Sequence, residues 1–170
     1  MDPRVTTSAE DLRKQFDLLL KLRDHEDEMN KAILAIRDLR TQLQSVERHL
    51  ASHDDAKSVV TSAADLRKRT SAIEEELIQV NATAQEDEAN YPTKLNSKLG
   101  YLNGAIDSAD TAPTEAEIAV FAKLDQEMEA QLTKWRDIVA KDIPALNDSM
   151  RKASIPLIVP TTSSTVTAAR

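Results

Sequence analysis

The chain has 170 residues, of which 41% are hydrophobic, 30% charged and only 3% aromatic, with no cysteine and a formal net charge of −7. That length suits one domain, but no run approaches the roughly eighteen apolar residues of a membrane span, and the missing thiols exclude disulfides, thiolate catalysis and thiolate metal sites. Residues 54–112 carry 6 basic and 11 acidic side chains and hold most of the acid excess, and no basic stripe with interleaved aromatics occurs, so nucleic acid and anionic membrane are poor partners.

The start, MDPRVTT, lacks the charged and apolar regions of a signal peptide; it reads as a cut in a longer chain, with residues 1–7 an extended lead-in. The first helix is predicted from Ser8, whose hydroxyl precedes a carboxylate three residues on, to residue 52. Its apolar stripe is Leu12, Phe16, Leu19, Leu22, Met29, Ile33, Ile36, Leu39, Leu43, Val46 and Leu50, recurring at threes and fours. Such a helix would be about 65 Å long and needs partners along most of its length.

A turn at Ser52-His53-Asp54-Asp55 opens a second helix with the stripe Val59, Ala63, Leu66, Thr70, Ile73, Leu77, Val80 and Ala84, expected to end in Glu86–Asn90 before Pro92. A short third helix carries Leu95, Leu99, Leu102 and Ile106. Thr114 and Glu117 form a capping box for the fourth, which buries Ile118, Phe121, Leu124, Met128, Leu132, Trp135, Val139, Leu146 and Met150 and is interrupted at Pro144, where the backbone bond to Ala140 is lost. The Ser/Thr-rich residues 159–170 read as a disordered tail. TSAEDLRK at 7–14 recurs as TSAADLRK at 61–68; the likeness stops after eight positions and reflects convergent helix-start residues rather than a duplicated hairpin.

Four constellations could carry chemistry. His49 and His53, at i and i+4 with Asp54 and Asp55 behind them, have a spacing used for zinc, but His25 is the only other histidine and lies far along the same helix, so solvated imidazoles near a helix C-terminus are expected instead. Asp24-His25-Glu26-Asp27-Glu28 lacks the glycine turn of a calcium loop and fans its carboxylates around a helix; Glu26 falls on the apolar stripe, where a gap at the end of a partner helix is expected rather than a buried pair with a basic residue. Gly100 and Gly104, the only glycines, are expected to let the third helix approach a long one. Finally, no nucleophile elbow and no phosphate-cradling loop occurs. Hence no catalytic, cofactor-binding or metal-ligating residue is expected.

Three stretches carry a family resemblance: DPRVTTSAEDLRKQFDLLLKLRD with EMNKAI after it, YPTKLNSKLGYLNGAIDSADTAPTEAE, and LTKWRDIVAKDIPALNDSMRKASIPLI. Across residues 2–158 they resemble the C-terminal helical region of large bacterial proteins with Asp-box (BNR) repeats, the sortilin-like or glycosyl-hydrolase-like β-propeller proteins. The resemblance implies a propeller and a small β-sandwich preceding this bundle, and export of the whole. No Asp-box, with its Ser-x-Asp-x-Gly core, occurs here, so no propeller site residue carries over.

The expectation is an all-α fold, an elongated antiparallel up-down bundle of three long helices and one short one, forming a single domain over residues 8–158. Its function is expected to be that of a non-catalytic interaction or scaffold module, an appendage packing on neighbouring domains of a larger parent or on another protein. No membrane insertion is expected. Homo-oligomerisation is possible because the first helix outruns a second one of about 50 Å. Rival readings are an accessory domain shaping a propeller-type glycoside hydrolase site, and a free-standing metal-binding bundle.

Overall fold

The protein is described from a computed structural model, over residues 7–82, 84, 87 and 90–160. It is an all-α helical bundle, and no strand occurs among the described residues. The elements are α1 (Ala9–Leu50), a 3-10 turn (Asp54–Ala56), α2 (Lys57–Leu77), α3 (Leu95–Ile106), α4 (Glu115–Asp137), a π turn (Ile138–Asp142) and α5 (Ile143–Lys152). The chain forms two compact units, one from Met1–Asn30 and Glu75–Gln131, the other from Lys31–Glu74 and Leu132–Arg170. Residues 1–6 of the expected lead-in (1–7) and residues 161–170 of the expected tail (159–170) lie outside the described residues.

In the first unit, α1 starts where Ser8 caps it. The Asp11 backbone N–H donates to Ser8 Oγ at 3.1 Å, and the Ser8 hydroxyl donates to Asp11 Oδ2 at 2.7 Å. The buried apolar residues are Leu18, Leu22 and Met29 of α1, Leu77 at the end of α2, Leu95, Leu99, Leu102 and Ile106 of α3, and Leu124 and Met128 of α4. Phe16, expected in the core, is 58% exposed, and its neighbour Gln15 is 7% exposed in its place. Gln15 Nε2 donates to the carbonyls of Ile106 at 2.6 Å and Ala109 at 2.7 Å. Carbonyls at a helix C-terminus have no intrahelical donor, so an amide serves this stripe position better than a ring. The same contact puts the end of α3 beside the start of α1, while His25 lies against Asp125 and Phe121; α1 and α4 therefore run parallel, with α3 opposed. The box at α4 forms as expected: Thr114 N–H donates to Glu117 Oε2 at 2.7 Å, and Glu117 N–H to Thr114 Oγ1 at 3.2 Å.

α2 stops at Leu77, well short of the expected end; of the expected terminal stretch, Glu86, Glu88 and Ala89 lie outside the described residues. Ile78 and Val80 are β-branched and Asn81 competes for the backbone, which weakens helix there. Gln79 instead braces the loop, its Oε1 accepting the Asn81 N–H at 3.2 Å and its Nε2 donating to Pro92 O at 3.1 Å. Val80 and Ala84, expected on the stripe, are exposed. The repeat at 61–68 lies inside α2 rather than at its start, so shared helix-start chemistry does not account for it.

In the second unit, α1 and α2 bury Ile33, Ile36, Leu39, Leu43, Val59, Ala63, Leu66 and Ile73, and the last segment buries Leu132, Trp135, Ile138, Ile143, Leu146 and Met150. Arg37 lies against Glu74, and Glu47 against Arg67, so α1 and α2 are antiparallel. Pro144 has no N–H, and its ring would meet the carbonyl four residues back. The chain answers with a π turn just before it, closed by the Ile143 N–H on the Ile138 carbonyl. Widening the turn also bridges the five-residue step from Ile138 to Ile143, returning both to the buried face. These two were absent from the expected stripe, which ran through Val139, only half-buried here. α5 ends in a Schellman motif: Ile155 N–H donates to Met150 O at 2.9 Å, Ser154 N–H to Arg151 O at 3.1 Å, and Ser154 takes a φ of 57°.

Gly100 and Gly104 do not mediate close approach. Both are exposed, and a Cβ on either would meet nothing within 4 Å. With open space on a helix, alanine removes only backbone freedom from the unfolded chain. Gly100→Ala and Gly104→Ala are each expected to stabilise the fold by about 0.5–1 kcal/mol, measured by urea unfolding; a loss of stability would mean that this face is covered.

Candidate functional site

The clearest concavity built from charged and apolar groups lies in the second unit, where α1 and α5 both end. It is a cleft of about 520 Å³ whose lining includes Val46, His49, Leu50, His53, Asp55 and Ile155. His49 Nδ1 lies 2.7 Å from the Ser45 carbonyl oxygen, so that nitrogen carries the proton and donates, leaving the Nε2 lone pair outward when the ring is neutral. The helical i,i+4 relation expected for His49 and His53 does not form. α1 has ended at Leu50, and His53 is extended at φ −102° and ψ 103°. Asp54 is paired instead with Lys57 at 2.8 Å. Among the described residues no three His, Asp or Glu side chains stand as a metal-binding group. Two imidazoles without a third ligand do not enclose a zinc ion.

The acidic run 24–28 lies within α1 and its members point different ways. Asp24 pairs with Arg23 at 2.6 Å. His25 Nδ1 reaches the Lys21 carbonyl at 2.7 Å, its Nε2 reaches Asp125 Oδ1 at 2.6 Å, and its ring meets Phe121 edge-on with centroids 5.2 Å apart. Both ring nitrogens thus face acceptors, and the ring acts as a polar tie between α1 and α4. Nothing in the sequence pairs His25 with a residue 100 positions away. Glu26 is half-buried with no charged partner among the described residues, and desolvation pushes its carboxyl above the usual range.

The most buried acid escaped the sequence reading. Glu74 is 2% exposed; Arg37 Nε donates to its Oε1 at 2.5 Å and Arg40 Nη1 donates to its Oε2. It sits beside Ile73 on the inner face of α2, hidden in sequence by the run Glu74-Glu75-Glu76. The pairing satisfies both carboxylate oxygens and has the form of a structural tie between α1 and α2. Its two cations keep one side toward solvent, with side chains 50% and 32% exposed.

Compared with known families, characterised proteins and solved structures, the chain matches none.

Two measurements follow from these acids. A carboxyl whose folded pKa lies above its unfolded value binds more protons in the folded state, so its ionisation opposes folding as pH rises through that window. Glu26→Gln is therefore expected to stabilise the protein at pH 7, with the gain vanishing below the ordinary glutamate value; a pH-independent difference in thermal midpoint would contradict this. Glu74→Gln leaves two guanidinium donors facing an amide and is expected to cost about 1–3 kcal/mol in denaturant unfolding. The cost stays below that of a fully enclosed pair because Arg37, whose side chain is half exposed, can turn to water.

Proposed function

We infer that the chain is a non-catalytic helical interaction module, the C-terminal appendage of a larger exported β-propeller protein, docking on a neighbouring domain. The observation that carries this reading is the set of large apolar side chains left exposed on the helices of the first unit: Phe16 at 58%, Tyr101 at 62%, Ile118 at 51% and Val120 at 46%. Exposed apolar residues scattered singly are ordinary; side chains of this size left open on α1, α3 and α4 of one unit offer apolar area that a neighbouring domain can cover. The ionisable groups support the same reading, since the most buried one, Glu74, is engaged by two arginines in a structural tie. The likeness of residues 2–158 to the helical end of Asp-box proteins supplies the nature of the parent.

The test compares this chain alone with the longer polypeptide encoded by its reading frame. Amides of α1 near Phe16 and of α4 near Ile118 are expected to exchange at least tenfold more slowly in the longer protein, and Phe16→Glu with Ile118→Glu to abolish that protection while leaving helicity unchanged. A frame that encodes no upstream β domain, or equal exchange in both proteins, would refute the reading.

A further inference from the structure

Beyond the cap of α5 the chain continues without helix or strand to Pro160, and two amide side chains hold it. Asn147 of α5 accepts the Ile158 N–H on its Oδ1 at 2.9 Å and donates its Nδ2 to the Ile158 carbonyl at 2.8 Å. Gln42 of α1 does the same for the next residue, accepting the Val159 N–H at 2.9 Å and donating to its carbonyl at 2.8 Å. Each amide thus stands in for a residue of an adjacent β-strand, offering one donor and one acceptor to a single backbone unit. Between the flanking residues Leu157 and Val159, which are 45% and 68% exposed, Ile158 is turned inward and only 3% exposed.

We propose that Gln42 and Asn147 form a clamp for extended peptide, occupied in cis by the chain's own strap and available in trans to a partner segment with an aliphatic residue at the Ile158 position. The clamp reads backbone, which any extended chain presents, and takes sequence information at one buried side chain only; this is the division of labour in strand-addition recognition. The strap is also built to leave. It contributes one fully buried side chain, it carries two prolines that cannot donate to a ladder, Pro156 and Pro160, and it is joined to α5 through Ser154, a non-glycine residue in the left-handed region at φ 57°. Ser154 and Ile155 close the Schellman cap of α5, so release of the chain from Pro156 onward leaves that cap in place and α5 folded. A partner competes with a tethered strap whose effective concentration is of millimolar order, so binding is weak until the strap is released.

The experiment uses the full chain carrying Ile158→Asp, which disfavours the cis strap, and a fluorescein-labelled hexapeptide with the sequence of residues 155–160 as probe. The peptide is expected to bind this variant at least tenfold more tightly than the wild type, and addition of Gln42→Ala and Asn147→Ala to lose at least tenfold, with helicity unchanged throughout. A folded Ile158→Asp chain that ignores the peptide, or binding that survives removal of both amides, would overturn the proposal. Should Ile158→Asp fail to fold, amide exchange of the wild type decides: the Ile158 and Val159 amides are expected to open at least tenfold more often than those of α5. Their exchange only together with α5 would show the strap to be a fixed part of the core and sink the idea.

Discussion

Each helix here buries one narrow stripe of Leu, Ile, Met and Ala, and none can stand without the others. With aromatics at 3% of the chain, there is little bulk to build a thick core, so stability comes from helices lying close enough for aliphatic side chains to shed water on both sides. A helix as long as α1, with 42 residues, forms because successive parts of its stripe are covered, by α3 and α4 in one unit and by α2 and the last segment in the other. Most of the remaining structure consists of ways to keep those stripes aligned.

The π turn shows that constraint overriding local chemistry. Pro144 disrupts a regular helix, and the apolar sequence around it steps by five between Ile138 and Ile143, which a regular helix would place on different faces. One wide turn answers both problems, because it removes the clash with the preceding carbonyl and rotates the following segment so that Ile143, Leu146 and Met150 rejoin the buried side.

Polar side chains carry the information that aliphatic ones lack. Leucine stripes are interchangeable along a helix, so they fix which faces are buried but only loosely fix register. Gln15 on the α3 terminus and Glu74 between two arginines of α1 each have directional partners that a one-turn slip would leave unsatisfied. An unsatisfied buried polar group costs far more than a satisfied one contributes, so these few residues exclude alternative alignments. The exposed apolar side chains obey the opposite logic: Phe16 and Ile118 keep more than half of their surface open to solvent.

The sequence by itself determined the helical class, the stripe of α1 from Leu22 to Leu43 and that of α3, and the helix starts at Ser8 and Thr114, because hydrophobic period and caps are local properties read within a few residues. It did not determine where α2 stops, that Gln15 rather than Phe16 turns inward, that Gly100 and Gly104 face open space, or that His53 lies beyond the helix carrying His49. These were decided by tertiary structure. Gln15 meets its acceptor 91 residues away and Gln42 meets the strap at a separation of 117, and no local pattern encodes which backbone groups arrive there. Ile138 and Ile143 mark the boundary between the two: their hydrophobicity is plain in the sequence, but only packing of the whole segment selects the turn that buries both.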